Sequence, residues 1–322
     1  MPQQKPTLWL SRKLTDNAEE RARRDYDVVG NPEDGTWTGA QIVEMSHKVD
    51  AILPCHSEIF NADVVARMSD RVKIIANHSV GTDHCDLLAL KARGIIVTNT
   101  PDVLSDATAE IAMLLLLGAA RRAAEGDIMM RTGAWSSWSP SFMVGTQVTG
   151  KTIGIIGMGR VGQVMAERCR GFGMQVHYHN RKRLAPDLEK DATFHETVET
   201  LLPVSAFLSL NCPATPKTTG IMNAERFALM PKGAILVNTA RGALVVEDDF
   251  LAAIKSGHLA AAGLDCFATE PGGNPAFADH QNIFMLPHIG SATRETRDAM
   301  GFRALDNIDA YFRGEEPGDR VA

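Results

Sequence analysis

The sequence predicts an α/β protein made of two doubly wound parallel-sheet domains, and three observations support this prediction. Strand-like and helix-like segments alternate from Thr7 to Thr98. A glycine-rich turn, Gly157 to Gly162, lies between a short apolar segment and a helical pattern. Strand patterns then recur as far as Leu286. Alternation of this kind is typical of parallel sheets with helices on both faces.

The first 103 residues predict an open α/β domain of their own. The expected strands are Thr7–Leu10, Tyr26–Val29, Val49–Pro54, Val72–Ala76 and Gly94–Thr98. The expected helices are Thr15–Arg23, Gly39–Met45, Ala62–Ser69 and Leu87–Arg93. This domain precedes the glycine-rich turn, so it is not the nucleotide half. An amphipathic helix at Thr293–Arg313 should return to it, because the second sheet is complete by then.

The glycine-rich turn is the centre of a βαβ unit. Thr152–Ile156 reads as a buried strand, Val161–Phe172 as a helix and Gln175–His179 as a second strand. Gly157, Gly159 and Gly162 have the G-x-G-x-x-G spacing, which permits a tight turn and a close approach of a pyrophosphate. The helix N-terminus adds free N–H groups for the phosphates. This context predicts a Rossmann dinucleotide-binding domain.

The end of the second strand indicates which dinucleotide is bound. An NAD site usually has Asp or Glu there, to accept from the ribose 2′-OH. This chain has Asn180, Arg181, Lys182 and Arg183. A carboxylate would repel a 2′-phosphate, whereas a guanidinium can bind it with two hydrogen bonds. We expect NADPH to be preferred and NADH to be possible, with Arg181 and Arg183 as the main contacts; a solvated basic loop is the alternative.

Composition excludes several function classes. The net charge of -6 over 322 residues argues against broad nucleic-acid binding. The five cysteines are scattered, without the spacing of a disulfide framework or a metal site. The N-terminus lacks the layout of a signal peptide. The longest apolar run, Ile111–Ala120, is too short to span a bilayer. We expect a cytoplasmic protein without a metal.

The segments that flank and follow the βαβ unit complete the second domain. Ala107–Arg122 predicts a helix buried on most sides. The irregular stretch Gly126–Gly150, with Trp135 and Trp138, packs either on a partner subunit or on its own domain. The later strands are Ala206–Leu210, Ala234–Asn238, Ala261–Leu264 and Ile283–Leu286, and the helices are His195–Leu202, Ala224–Leu229 and Val246–Ser256.

Three residues that could perform chemistry follow three of these strands: Arg241, Glu270 and His288. Because parallel strands end at one edge of a sheet, these side chains can converge. Reduction of a 2-oxo acid needs a proton donor, for which His is suited near neutral pH, and a carboxylate that fixes its tautomer. An Arg can hold the substrate carboxylate with two parallel bonds. The alternatives are a salt bridge for Arg241, a surface turn for Glu270 and a capping or core role for His288.

Several segments together resemble the D-2-hydroxyacid dehydrogenase family, in the same order and over nearly the whole chain. They are Ser79–Asp83, Thr108–Glu110, Gly157–Gly162, Asn238–Gly242, Asp265–Pro271 and Pro287–Thr293. Within the family, the Asn-Arg-x-Arg loop and the Trp135-x-x-Trp138 arm resemble NADPH-dependent glyoxylate/hydroxypyruvate reductases. The resemblance implies a homodimer in which a flavodoxin-like substrate domain, residues 1–103 plus 289–322, contains an inserted dinucleotide-binding domain, residues 104–288.

The resemblance also implies roles for individual residues. His288 would be the acid/base, Glu270 its carboxylate partner and Arg241 the substrate-binding cation. The substrate would also meet Ser79, Val80, Gly81 and Trp138. The implied cofactor contacts are Thr108, Gly157, Gly159, Arg160, Val161, Gly162, Asn180, Arg181, Arg183, Cys212, Pro213, Thr218, Thr239, Ala240, Arg241, Asp265, His288 and Gly290.

Two other readings of the function stay open. The substrate could be another 2-hydroxy acid, such as D-lactate, phosphoglycerate or a bulkier acid. A phosphorylated substrate would need extra cations near Asn77–Thr82, and this segment has no Lys or Arg. The chain could instead be a nucleotide-sensing binding protein like the co-repressors that share this fold. A further regulatory domain is not expected after residue 322. His78 could contact the substrate, and His84 is expected to be structural.

Overall fold

The computed structural model describes residues 5–322, so Met1–Gln4 of the predicted first domain lie outside the described residues. The chain divides into two compact units, of which one holds the residues up to Leu104 together with Ser291–Ala322 and the other Ser105–Gly290. The sequence placed the second boundary after residue 288. Ile289 and Gly290 stay with the second unit because their backbone N–H groups donate to the carboxylate of Asp265.

Each unit contains one fully parallel sheet, which confirms the predicted fold class. The strands of the first unit are β1 (Thr7–Leu10), β2 (Asp27–Val29), β3 (Ala51–Leu53), β4 (Ile74–Ala76) and β5 (Ile96–Thr98). Those of the second are β6 (Thr152–Ile156), β7 (Gln175–His179), β8 (Thr193–His195), β9 (Phe207–Leu210), β10 (Ala234–Asn238), β11 (Leu259–Leu264) and β12 (Ile283–Met285).

The strand orders identify the two topologies. The first sheet runs β2-β1-β3-β4-β5, the flavodoxin-like order. The second runs β12-β11-β10-β9-β6-β7-β8, the Rossmann order with a seventh strand. All strands are parallel, but the order in which successive strands are added reverses between β6 and β9. Ligands in such sheets bind beyond the carboxyl ends of the strands at that point.

Twelve α-helices connect the strands among the described residues. They are α1 (Asp16–Asp25), α2 (Gly39–Ser46), α3 (Ala62–Arg67), α4 (Leu87–Ala92), α5 (Ser105–Ala120), α6 (Ala123–Thr132), α7 (Arg160–Gly171), α8 (Pro186–Glu189), α9 (Val198–Leu201), α10 (Ala224–Leu229), α11 (Glu247–Lys255) and α12 (Arg294–Phe312). Short 3₁₀ segments cover Leu202–Val204, Gly242–Leu244 and Pro275–Asp279. In the part of the chain that the structure describes, no helix combines the length and apolarity needed to cross a bilayer.

Both faces of each sheet are buried, as the β-branched and apolar strands require. In β1, Trp9 faces one core of the first unit while Leu8 and Leu10 face the other. The second of these cores also holds Ala304 and Ile308 of α12, so the last helix belongs to the first unit as expected. In the second unit, α5 packs on β10 and β11, and Gly263 has no room for a side chain because a Cβ would lie 2.7 Å from that of Leu115.

The structure corrects the sequence prediction in two places. The stretch Gly126–Gly150 is not wholly irregular, since α6 extends into it; the helix was missed because all its residues are at least partly exposed. The expected helix His195–Leu202 is wrong at its start. His195 ends β8, an edge strand of three residues that lacks a strong alternating pattern, and the helix begins only at Val198.

Candidate active site at the carboxyl edge of the second sheet

The glycine-rich turn forms a cradle that other residues would fill. Gly157 has φ +96°, and a Cβ there would lie 2.5 Å from the backbone nitrogen of Cys212. A Cβ at Gly162 would lie 2.3 Å from the carbonyl oxygen of Gly157. Gly159 caps α7 without a side-chain bond, and its Cβ would meet nothing within 4 Å. The turn is therefore tight on the protein side and open before the N-terminus of α7, where Arg160 and Val161 begin the helix, which fits a pyrophosphate.

Two buried polar atoms at this edge of the sheet have no hydrogen-bond partner among the described residues: Asn211 Oδ1 and Thr239 Oγ1. Asn211 directly follows β9 and Thr239 directly follows β10, and the preceding residues, Leu210 and Asn238, are paired in the sheet. Buried polar groups without partners are rare in native proteins. A ligand with hydroxyl and amide groups, such as a dinucleotide, would supply partners. Sequence reasoning included Thr239 and missed Asn211, whose position directly after a strand was the available signal.

The loop after β7 is organised by two side chains. Asn180 Oδ1 accepts from the N–H of Met158 at 2.7 Å, and its Nδ2 donates to the Met158 carbonyl at 3.2 Å. Arg183 donates to both carboxylate oxygens of Glu189, at 2.8 and 3.0 Å. Arg181 and Lys182 are exposed between them. The structure thus gives Arg183 a protein partner that the sequence did not predict, and it leaves Arg181 as the more available guanidinium.

The loop after β9 holds its own shape. Thr218 Oγ1 donates to the Pro213 carbonyl at 2.7 Å and accepts from the N–H of Thr215 at 2.8 Å. Cys212 is half-buried, and burial raises the pKa of its thiol to about 11. At neutral pH this thiol is protonated, so Cys212 contributes shape to the loop and no negative charge.

The carboxylate of Asp265 fixes the turn after β12. Asp265 is 1% exposed, and its two oxygens accept from the N–H groups of Ile289 at 2.8 Å and Gly290 at 2.7 Å. Burial raises the pKa of Asp265, and the two N–H groups oppose this effect. A Cβ at Gly290 would lie 3.4 Å from Thr108 Cγ2, so the start of α5 lies against the same turn. The sequence expected three of these residues, Thr108, Asp265 and Gly290, in one cofactor site.

Glu270 and His288 are in direct contact. Glu270 Oε2 lies 2.6 Å from His288 Nδ1, and both side chains are partly exposed. The other carboxylate oxygen of Glu270 accepts from the N–H of Phe267 at 2.8 Å. His288 lies in the turn fixed by Asp265 and has a left-handed backbone with φ 53°. The carboxylate favours the tautomer with the proton on Nδ1.

Arg241 lies in a loop that Asn238 stabilises from the end of β10. Asn238 Nδ2 donates to the Arg241 carbonyl at 2.9 Å, and Asn238 Oδ1 accepts from the N–H of Ala240 at 3.0 Å. A Cβ at the next residue, Gly242, would lie 1.9 Å from the carbonyl carbon of Phe267, so the loop of Arg241 lies against the loop that carries Glu270. In the structure, Glu270 and His288 are in contact, and Arg241 lies at the same edge of the sheet.

The other predicted substrate residues, and the two histidines His78 and His84, differ in their hydrogen bonds and exposure. Ser79 Oγ donates to the Gly81 carbonyl at 2.7 Å, while the N–H groups of Val80 and Gly81 donate to no other described residue. In the second unit, Trp138 is 73% exposed. His84 is buried and bonds Asn77 Oδ1 at 2.8 Å. His78 Nε2 lies 3.2 Å from the carbonyl of Arg297, and burial lowers the pKa of His78 to about 4.

Comparisons with known proteins show which family the chain resembles in sequence and fold. Residues 113–290 match the family described as D-isomer specific 2-hydroxyacid dehydrogenase, NAD binding domain. The chain is 44% identical to glycerate dehydrogenase of Hyphomicrobium methylovorum, covering 97% of this chain and 98% of that protein. It is 40% identical to glyoxylate reductase of Thermococcus kodakarensis, covering 97% and 95%. A crystal structure of NADPH-dependent glyoxylate/hydroxypyruvate reductase from Sinorhizobium meliloti, in complex with NADP and malonate, superposes with a TM-score of 0.87 at 29% identity, covering 99% and 97%.

Proposed function

The chain belongs to the D-isomer specific 2-hydroxyacid dehydrogenase family of nicotinamide-dependent oxidoreductases, and we propose that it reduces small 2-oxo acids, glyoxylate and hydroxypyruvate first, with His288 as the proton donor. The observation that carries the proposal is the 2.6 Å contact between Glu270 and His288 at the carboxyl edge of the dinucleotide-binding sheet. The relatives named above supply the substrate class, since oxidation of the C2 hydroxyl of glycerate gives hydroxypyruvate.

The chain's own residues perform the acid/base part of the reaction. When bound, the nicotinamide supplies a hydride to the carbonyl carbon of the 2-oxo acid. His288 gives a proton from Nε2 to the oxygen that becomes the hydroxyl. Glu270 Oε2, which lies 2.6 Å from Nδ1, accepts a hydrogen bond from Nδ1 and stabilises the imidazolium before transfer. The reverse reaction uses the same atoms, with neutral His288 as the base.

The other residues orient the reactants. Arg241, a cation at the end of β10, holds the carboxylate of the 2-oxo acid and polarises its carbonyl. The glycine cradle at Gly157 and the orphaned atoms of Asn211 and Thr239 support the dinucleotide.

The finer cofactor choice is also part of the proposal. NADPH is preferred over NADH, because the residue that ends β7 is followed by Asn180 rather than by a carboxylate. The side chain of Asn180 is hydrogen-bonded to the backbone of Met158, so Arg181 is the principal group that would bind the 2′-phosphate. Arg183 contributes charge from its pair with Glu189.

A homodimer and a cytoplasmic location are also part of the proposal. Large apolar side chains are exposed along α6 and the segment after it: Ile128, Met130, Trp135, Trp138 and Val144. A second copy of the chain would cover this surface in a homodimer. All five cysteines are free of disulfides, which is consistent with a reducing, cytoplasmic location.

A turnover assay with a panel of substrates tests the proposal. NADPH consumption, followed by its absorbance, should be fast with glyoxylate and hydroxypyruvate and slow with bulky 2-oxo acids. The His288→Ala variant should bind NADPH normally and turn over about 10²- to 10⁴-fold more slowly. NADPH binding without turnover of any 2-oxo acid would favour a nucleotide-sensing protein instead. Turnover fastest with pyruvate or a bulky acid would keep the enzyme class and reject the substrate.

A further inference from the structure

A single carboxylate holds both ends of the loop that carries Glu270. This loop, Phe267–Asn274, follows β11, and we call it the carboxylate loop. Glu247, in the first turn of α11, accepts from the N–H of Ala268 with Oε1 at 3.0 Å. Its Oε2 accepts from Asn274 Nδ2 at 2.9 Å. Glu247 thus bridges the second residue and the last residue of the loop.

The position of Glu270 depends on the end of the loop that Glu247 holds. Glu270 Oε1 accepts from the N–H of Phe267 at 2.8 Å, one residue before the N–H that Glu247 binds. The loop also lies directly against Gly242, where a Cβ would come within 1.9 Å of the Phe267 carbonyl carbon. The absence of a side chain at Gly242 lets the loop approach, and Glu247 fixes it there.

We propose that Glu247 is a positioning residue for proton transfer, acting through Glu270 on His288. The inference rests on the function proposed above for Glu270 and His288. Glu247 touches neither side chain in the described contacts; it holds the backbone from which Glu270 extends. Displacements of about 1 Å at a reacting group can cost about 10²-fold in rate. Loss of the two bonds of Glu247 frees the loop from α11 and lets Glu270 leave its 2.6 Å contact with Nδ1 of His288.

A general effect of acidic residues at a helix N-terminus is separable from this role. Glu247, Asp248 and Asp249 all lie in the first turn of α11 and interact favourably with its dipole. Asp249 accepts from the N–H of Ala224, whereas Asp248 is exposed and makes no described side-chain bond. Asp248→Ala removes the same charge from the same turn without touching the carboxylate loop, so it is the matched control.

Kinetics of three variants test the proposal. Glu247→Ala should lower kcat with hydroxypyruvate about 10- to 100-fold, while the Kd of NADPH stays within about twofold. Glu247→Gln should lose less, because its amide oxygen still accepts from Ala268 although its NH₂ group cannot accept from Asn274. Asp248→Ala should keep kcat within about twofold. Equal losses in Glu247→Ala and Asp248→Ala, or wild-type kcat in both Glu247 variants, would overturn the proposal. Where Glu247→Ala does not fold, Glu247→Gln carries the test.

A double-mutant cycle and amide exchange separate positioning from general stabilisation. If Glu247 acts through Glu270, adding Glu247→Ala to Glu270→Gln should lower kcat little further. Fully multiplicative losses would contradict the proposal. Hydrogen exchange at Phe267 and Ala268 in the cofactor-free protein should accelerate in Glu247→Ala and not in Asp248→Ala; unchanged exchange overturns the role of Glu247 alone. Wild-type turnover in Glu270→Gln would instead reject the proposed function of Glu270, and this inference with it.

Discussion

Replacing Arg181 with alanine should weaken NADPH binding and leave NADH binding nearly unchanged. Arg181 is exposed beside Asn180, whose side chain is already bonded to Met158, so the Arg181 guanidinium is available to the 2′-phosphate. A hydrogen bond to a charged group contributes about 1.5–3 kcal/mol. At 1.4 kcal/mol per tenfold change in affinity, the Kd of NADPH should rise about 10- to 150-fold.

The structure supplies a matched control for this prediction in the same loop. Arg183 donates twice to Glu189, whose side chain is 7% exposed. Arg183→Ala should therefore raise the Kd of NADPH less than Arg181→Ala does. It should lower the thermal midpoint more, because it leaves the buried Glu189 carboxylate without its cation.

Titration calorimetry with NADPH and NADH on the wild type and both variants measures these effects. An unchanged Kd of NADPH in Arg181→Ala, or an equal loss of affinity for NADH, would refute the role of Arg181. A larger NADPH loss in Arg183→Ala than in Arg181→Ala would show that Arg183 leaves Glu189 to bind the phosphate, which is the arrangement that the sequence alone predicted.

Three further predictions concern the cradle, the acid stability of the first unit and the assembly. Gly157→Ala should lower both thermal stability and NADPH affinity, because its φ is +96° and its Cβ would lie 2.5 Å from a backbone nitrogen; Gly159→Ala, with nothing within 4 Å of its Cβ, should lose affinity and keep stability. The hydrogen bond from Arg71 lowers the pKa of Asp50. The stability that this gives is present above the carboxyl's ordinary pKa of 3.8 and is lost as pH falls through the lower folded value. The free energy of unfolding in urea should therefore change less for Asp50→Asn than for the wild type between about pH 5 and pH 3. Trp138→Ser should shift sedimentation from dimer towards monomer, and an unaltered dimer would exclude Trp138 from the interface.

The repeating parts of the fold were predictable from the sequence because their signals are local. Buried parallel strands such as Thr152–Ile156 are short continuous apolar runs, and the glycine spacing marks the start of α7. The strand β8 was missed because an edge strand of three residues, one of them His195, carries no such run. The helix α6 was missed because its apolar residues face outwards, which removes the usual amphipathic signal.

The candidate site was predictable at its strand ends and less so between them. Residues a few positions after strands, such as Arg241 and His288, could be placed at one edge by topology alone. The partner of Arg183 and the residue that holds the loop of Glu270 could not be found that way. Glu189 lies in a short helix that no pattern indicated, and Glu247 reads in sequence as an ordinary acidic residue at a helix start. Pairing between such side chains depends on loop conformation, which spacing does not encode.

The proposed reaction depends most on His288 as the group that protonates the substrate oxygen. Single-turnover mixing of the NADPH-bound enzyme with hydroxypyruvate measures this step directly, in the wild type and in His288→Gln, with cofactor binding determined on the same samples. We predict a rate about 10²- to 10⁴-fold lower in the variant, with the Kd of NADPH within about twofold of the wild-type value. A wild-type single-turnover rate in fully loaded His288→Gln would contradict the account.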